Sequence, residues 1–235
     1  MLLPATLVVI CALLPAGPVS ADDPGQISAY VTPYYNSAGP TIKVGKYSAG
    51  LASKTPGEFV ATIVRMKKQW NDLNFLELYV GAIRLYDLGY RREATYWFYT
   101  AQYRGRLYGL LVNKEKLGSI GDRAFELYHA QDAFFQLVGP DINGYAFGDI
   151  DSLVRIIRKV QDDNHDVPNL QTIYPGVVFQ PKPQWQAQNA ELNAGLGKLT
   201  ASLTDQKTQI QQQRAQNGTQ ARFSHLANKQ FPGGF

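Results

Sequence analysis

Between residues 57 and 172 the apolar residues of this chain recur at intervals of three and four. Phe59, Ile63, Met66 and Trp70 make the first such stripe, the repeat of a helix with one buried face. Ahead of it, Thr55-Pro56-Gly57-Glu58 reads as a helix start. Thr55 is placed to cap, Pro56 suits the first turn, and Glu58 is placed to return a hydrogen bond. The same period predicts a second helix from about Leu73 to Leu88 and a third from about Arg91 to Val112. A fourth opens at Ser119 or Asp122, carries Phe125, Tyr128, Ala133, Phe134 and Leu137, and stops at Gly139-Pro140. A fifth follows Asp149 and carries Leu153, Ile156, Ile157 and Val160. Between them GPDINGYAFGDID reads as a glycine-flanked loop, with a turn at Asn143-Gly144 and Asp149 as the next cap. The expectation is an all-α fold, a single bundle of about five helices over residues 57–172.

The flanks are patterned differently. Residues 22–56 are rich in Gly, Pro, Ser and Tyr and predict an extended arm, with Thr41-Ile42-Lys43-Val44 as the one short strand candidate. Residues 173–183 (IYPGVVFQPKP) predict an extended connector. Over residues 184–218 Trp185, Leu192, Leu196, Leu199, Leu203 and Ile210 keep a helical rhythm in a Gln- and Ala-rich background. Gln206 and Gln213 interrupt that stripe, which argues against a self-sufficient coiled coil and for docking on the body or on a partner. Residues 219–235 predict a disordered tail.

The first residues set the compartment. The apolar run from Leu7 to Leu14, a Pro/Gly break and Val19-Ser20-Ala21 predict a signal peptide over residues 1–21, cleaved after Ala21 for export to the periplasm. Met1 to Thr6 contain no Lys or Arg, so an uncleaved anchor is the competing reading. The run is well short of the roughly 20 residues of a spanning helix, and no stable membrane span is expected after cleavage. The chain's one cysteine, Cys11, falls inside this leader. A mature chain would then have no disulfide, thiol nucleophile or cysteine-ligated metal. The net charge of +4 comes from short clusters (Arg65, Lys67, Lys68; Arg91, Arg92; Arg155, Arg158, Lys159), not from a long basic tract. Nucleic acid is not the expected partner; an acidic protein or an anionic envelope surface is.

Residues 85–109 (LYDLGYRREATYWFYTAQYRGRLYG) hold eight aromatic side chains. Ala82 and Leu85 on one helix, Gly89 at a turn, and Ala94, Phe98 and Ala101 on the next are similar to the rhythm of a tetratricopeptide hairpin. Small residues let helices approach, and the glycine accepts the turn. No second copy follows, so one hairpin is expected inside a bundle. Most of the rings are expected in its core. Arg91 and Arg92 sit at a helix start, where the dipole disfavours cations and Glu93 compensates in part. With Tyr145 and Phe147 of the glycine-flanked segment they are the candidate partner contacts.

Catalytic chemistry finds little support. His129, His165 and His225 belong to no HExxH pattern, and there is no Gly-x-Ser-x-Gly elbow or phosphate loop. Gln161 to Asp166 concentrate oxygens and one imidazole without the spacing of a calcium loop, and read as a polar helix end. Glu58, Glu77, Glu93 and Glu126 offer carboxylates that nothing in the sequence pairs across a cleft. No catalytic residue, metal or cofactor is expected.

Three features together, FLELYVGAIRLYDLGYRREATYWFYTAQYRGR, then VGPDINGYAFGD, behind a cleavable leader, resemble a group of small exported bacterial helical proteins associated with type VI secretion effectors, some of them periplasmic immunity proteins. The resemblance covers about residues 58–160. It implies a protein that binds a toxin encoded nearby and blocks its active site without turnover. An envelope scaffold of tetratricopeptide type and, third, an envelope hydrolase are the competing expectations.

Overall fold

The computed structural model describes residues 23–235. The leader over 1–21, Cys11 and the cleavage after Ala21 lie outside the described residues. The all-α expectation holds: the described chain is a helical bundle with one two-residue strand pair.

Its centre is a hairpin of α3 (Phe75–Asp87) and α4 (Arg91–Leu111). Helix α3 starts on a capping box: the Glu77 N–H donates to Asn74 Oδ1 at 2.9 Å and the Asn74 N–H donates to the Glu77 carboxylate at 2.9 Å. It ends at Gly89, whose φ of +89° suits glycine, and the Tyr90 N–H closes the turn on the Leu85 carbonyl. Ala82, Leu85, Ala94, Phe98 and Ala101 are fully buried, as their rhythm predicts. The tightest approach falls on Gly81, a residue that rhythm did not single out: a Cβ there would stand 2.6 Å from Trp97 Cε3. The tetratricopeptide likeness rests on the rhythm alone. Around α4 pack α5 (Arg123–Ala146), α6 (Ile150–Asp163) and α8 (Trp185–Asp205). This is why α4 buries rings on almost every side: Tyr96, Trp97, Phe98, Tyr103 and Tyr108 are all under 5 % exposed.

Several boundaries differ from expectation. Pro56 opens α2 (Pro56–Lys68) in its first turn, but Thr55 makes no side-chain cap, and the Glu58 carboxylate accepts from Ser53 Oγ at 2.6 Å instead. Helix α5 does not stop at Gly139-Pro140; it continues to Ala146, and the predicted loop and Asn143-Gly144 turn are helical. Pro140 cannot donate to the Gln136 carbonyl, which costs about 3 kcal/mol inside a helix. Both residues lie on the exposed face, where that carbonyl is open to solvent, while Val138, Ile142 and Ala146 carry the buried face through the proline. Asp149 caps α6 as expected, accepting from the Ser152 N–H at 3.0 Å.

The flanks wrap the bundle. In the arm, β1 (Tyr30–Val31) pairs antiparallel with β2 (Tyr35–Asn36), and Thr41 to Val44 form no strand. Ile27, Val31, Tyr35, Ile42 and Val44 turn inward, followed by α1 (Ser48–Ala52). Helix α7 (Leu170–Ile173) leads into the connector, which runs extended beside the end of α4, where the Gln180 N–H donates to the Leu111 carbonyl at 2.7 Å. The single long helix expected over 184–218 is broken into α8 and α9 (Lys207–Gln216) at Gln206. Gly218, at φ +77°, then separates α10 (Thr219–Phe223). Helix α8 docks on its own body. Asn189 is fully buried, accepts from Tyr103 Oη at 2.7 Å and donates to the carbonyls of Asn164 and His165.

The tail does not fray. Phe223 is 6 % exposed and Phe231 fully buried, its ring edge-on to Tyr90 at 5.3 Å. The Lys229 N–H donates to the Gly89 carbonyl at 2.8 Å, and the Arg92 N–H donates to Asn228 Oδ1 at 2.9 Å. Composition predicted disorder for this segment; Phe223 packs on Gly144 of α5, while Phe231 and Phe235 meet Tyr90 and Tyr96 of the hairpin, sockets that only the assembled bundle provides.

Candidate functional site

The four candidate contacts come from two turns that the bundle brings together. Arg91 and Arg92 open α4, while Tyr145 and Phe147 lie at the end of α5. Tyr145 stands edge-on to Tyr86 at 6.2 Å, and the Arg91 guanidinium lies 5.4 Å from the same Tyr86 ring. Arg92 pairs with Asp149 at 3.3 Å, with side chains 43 % and 51 % exposed. Arg92, Tyr145 and Asp149 share the wall of a cavity of about 20 Å³, room for a single water. Burial pushes the Tyr145 hydroxyl pKa up, and the neighbouring Arg92 and Arg91 charges oppose that rise. Tyr145 and Phe147 are both half-buried against the core.

The two arginines have different tasks. Arg91 donates through Nη1 to the Ala227 carbonyl and through Nη2 to the Gly25 carbonyl at 3.4 Å, so it joins the tail to the arm. Arg92 keeps its guanidinium at the surface. The favourable dipole partner expected in Glu93 is instead a fully buried hub. Its Oε1 accepts from Trp97 Nε1 at 2.8 Å and Lys67 Nζ at 2.9 Å, and its Oε2 accepts from the Phe235 N–H at 3.1 Å.

Two further carboxyls, Glu77 buried and Asp87 half-buried, are held with raised pKa values. Burial raises Glu77 to about 7, against the Asn74 hydrogen bond and the Lys46 charge. Burial also raises Asp87 to about 6, against the Ile27 N–H, Arg84, Tyr35 and Arg91. Asp87 is the fastening of the arm, accepting from the Ile27 N–H at 2.9 Å and Tyr35 Oη at 3.3 Å. Both folded values lie above those of the unfolded chain, so over the interval between them the folded state holds more protons. Their contribution to stability is therefore full below about pH 4 and is lost as the pH rises through about 6 to 7. Thermal melts should show these two groups removing on the order of a few kcal/mol between about pH 5 and pH 8. Glu77→Gln, which keeps an acceptor for Asn74, should raise the melting temperature at the upper end and leave the lower end nearly unchanged.

A second concavity lies at the far end of α6. The polar run from Gln161 to Asp166 is the helix end expected: Asn164 terminates α6, is 3 % exposed, and donates through Nδ2 to the Val160 carbonyl at 2.7 Å. Beside it opens a cleft of about 180 Å³ lined by Asn71, Arg104, Asp162, Asp163, His165 and Asp166. Arg104 and Asn71 were not legible as site residues, since Arg104 reads as one more cation on an aromatic helix and Asn71 as a linker residue. Among the described residues no group of three or more His, Cys, Asp or Glu side chains is arranged to hold a metal. Among them, too, no helix is long and apolar enough to cross a membrane. Compared with models of protein families, with curated proteins and with solved structures, the chain matches none, so the reading of these surfaces rests on their own residues.

Proposed function

We propose that this chain is an exported recognition protein of the periplasmic immunity type, which binds a toxin delivered into the bacterial envelope, encoded nearby, and occludes it without turnover. The observation that carries the reading is the convergence of Arg92 and Tyr145 at the junction of two helix pairs. A cation and an amphipathic ring held on rigid elements are the side chains that most often anchor protein interfaces. Arg155 and Arg158 extend the positive charge along the exposed face of α6, which suits an acidic partner surface. The buried carboxylates Glu93 and Glu77 and the half-buried Asp87 are each committed to structural bonds, which supports recognition over turnover.

The test is co-expression in the envelope with the toxin of the adjacent reading frame. Survival and a one-to-one complex on size exclusion are the expected result. Arg92→Glu should weaken the complex about tenfold or more, roughly 1.4 kcal/mol, with a melting temperature close to that of the parent. Killing that is indifferent to the chain would overturn the reading.

One observation favours the envelope scaffold as the second reading. The turn end of the α3–α4 hairpin already grips an extended peptide, the chain's own segment 227–235, through Gly89, Tyr90 and Lys67. A scaffold would hold a partner peptide of similar chemistry there and would rescue no cell from any toxin.

A further inference from the structure

The cleft at the end of α6 is built around a buried cation with no ionic partner. Arg104 is 4 % exposed. Its Nε donates to Asn164 Oδ1 at 3.1 Å, and its Nη1 donates to the carbonyls of Trp70 at 2.7 Å and Leu73 at 3.1 Å. Its guanidinium carbon lies 5.5 Å from the Trp70 ring. All three acceptors are neutral, and among the described residues no carboxylate lies within ion-pair distance of this guanidinium. Nη2 makes no hydrogen bond to the protein and is not sealed from solvent, so it is the nitrogen open to the cleft. Asp163, whose charge reaches Arg104 through space, is already taken by Tyr96 Oη and by Lys159 Nζ at 2.8 Å. A guanidinium stays charged in such a place, and a buried charge without a counter-charge is costly. An anionic group entering the cleft would relieve that cost.

At the mouth the sign reverses. Asp162 and Asp166 are exposed, Asp166 with 92 % of its side chain open and His165 beside it at 3.3 Å. With Asp163 balanced by Lys159, the cleft offers one positive charge within and two negative charges at its rim. A simple anion would meet repulsion there, and a simple cation would meet Arg104. The volume is below the roughly 300 Å³ of sites for drug-sized ligands and suits a single amino acid. We propose that this cleft binds a free basic amino acid, with the α-carboxylate on Arg104 and the two ammonium groups on Asp162 and Asp166. The proposal is independent of the protein-recognition reading.

Because Arg104 also braces Trp70 and Leu73, its contact is tested on the ligand side. Calorimetric titration of the mature protein with L-lysine should give saturable binding below about 10 mM. Cadaverine, which lacks the carboxylate, and Nα-acetyl-L-lysine, which lacks one ammonium, should each bind about tenfold or more weakly. Asp162→Asn with Asp166→Asn should weaken lysine binding about tenfold while leaving the ligand-free melt in place. No saturable binding of lysine would overturn the proposal. So would cadaverine or the acetylated lysine binding as well as lysine, or undiminished binding by the double variant.

Discussion

Replacing Trp97 with alanine is expected to lower the stability of the bundle by about 3–5 kcal/mol, read as a fall in the denaturant midpoint. Trp97 is fully buried. Its six-membered ring closes on Gly81, and it stands edge-on to Trp70 at 5.0 Å. Its Nε1–H donates to the Glu93 carboxylate at 2.8 Å. The substitution leaves a cavity where the hairpin is tightest and takes one donor from a buried carboxylate, two costs that act together. Gly81→Ala probes the same contact from the other side. In the parent it forces a methyl to within 2.6 Å of Trp97 Cε3, an overpacking that should cost about 1–3 kcal/mol. In the Trp97→Ala background the methyl enters vacated space, so the second cost should shrink or reverse. Strictly additive losses in this cycle would show that the two residues are not the coupled pair described.

Glu93→Ala should cost about 2–4 kcal/mol and, more tellingly, should loosen the tail. The carboxylate joins three segments far apart in sequence: Trp97 on α4, Lys67 on α2 and the Phe235 N–H. Lys67 in turn donates to the Gly233 carbonyl at 3.1 Å and lies 5.4 Å from the Phe231 ring. Losing the hub should therefore expose the Lys229 and Phe235 amides to hydrogen exchange and open the chain to proteolysis at Lys229, ahead of global unfolding. Glu93→Gln retains an acceptor for Trp97 but not the charge for Lys67, and should fall between the parent and the alanine variant. Unchanged protection of the tail amides in Glu93→Ala would rule out this hub.

Helices whose apolar residues repeat cleanly were legible without tertiary information. For α3 and α4 the period placed the boundaries within about two residues, and for α6 the cap Asp149 placed the start, because the buried stripe and the first hydrogen bonds are both local. Helix α5 was misread at Pro140 for an equally physical reason. A proline signal is local and strong, whereas the burial of Ile142 and Ala146 that outweighs it depends on helices distant in sequence. The candidate contacts divide in the same way. Arg92 and Tyr145 stay at a surface junction, while Arg91 and Glu93, read from their place at a helix start, turned out to bind the arm and the tail.

By itself, then, the sequence determined an all-helical body, its central ring-filled hairpin and the glycine that turns it, since these follow from periodicity and from backbone conformations that few residues adopt. Tertiary structure alone decided which charges are buried and what they hold. Glu93 and Arg104 look like ordinary surface charges in one dimension. Their partners are up to 142 residues away, and a desolvated charge is recognised only by the neighbours that folding assembles around it.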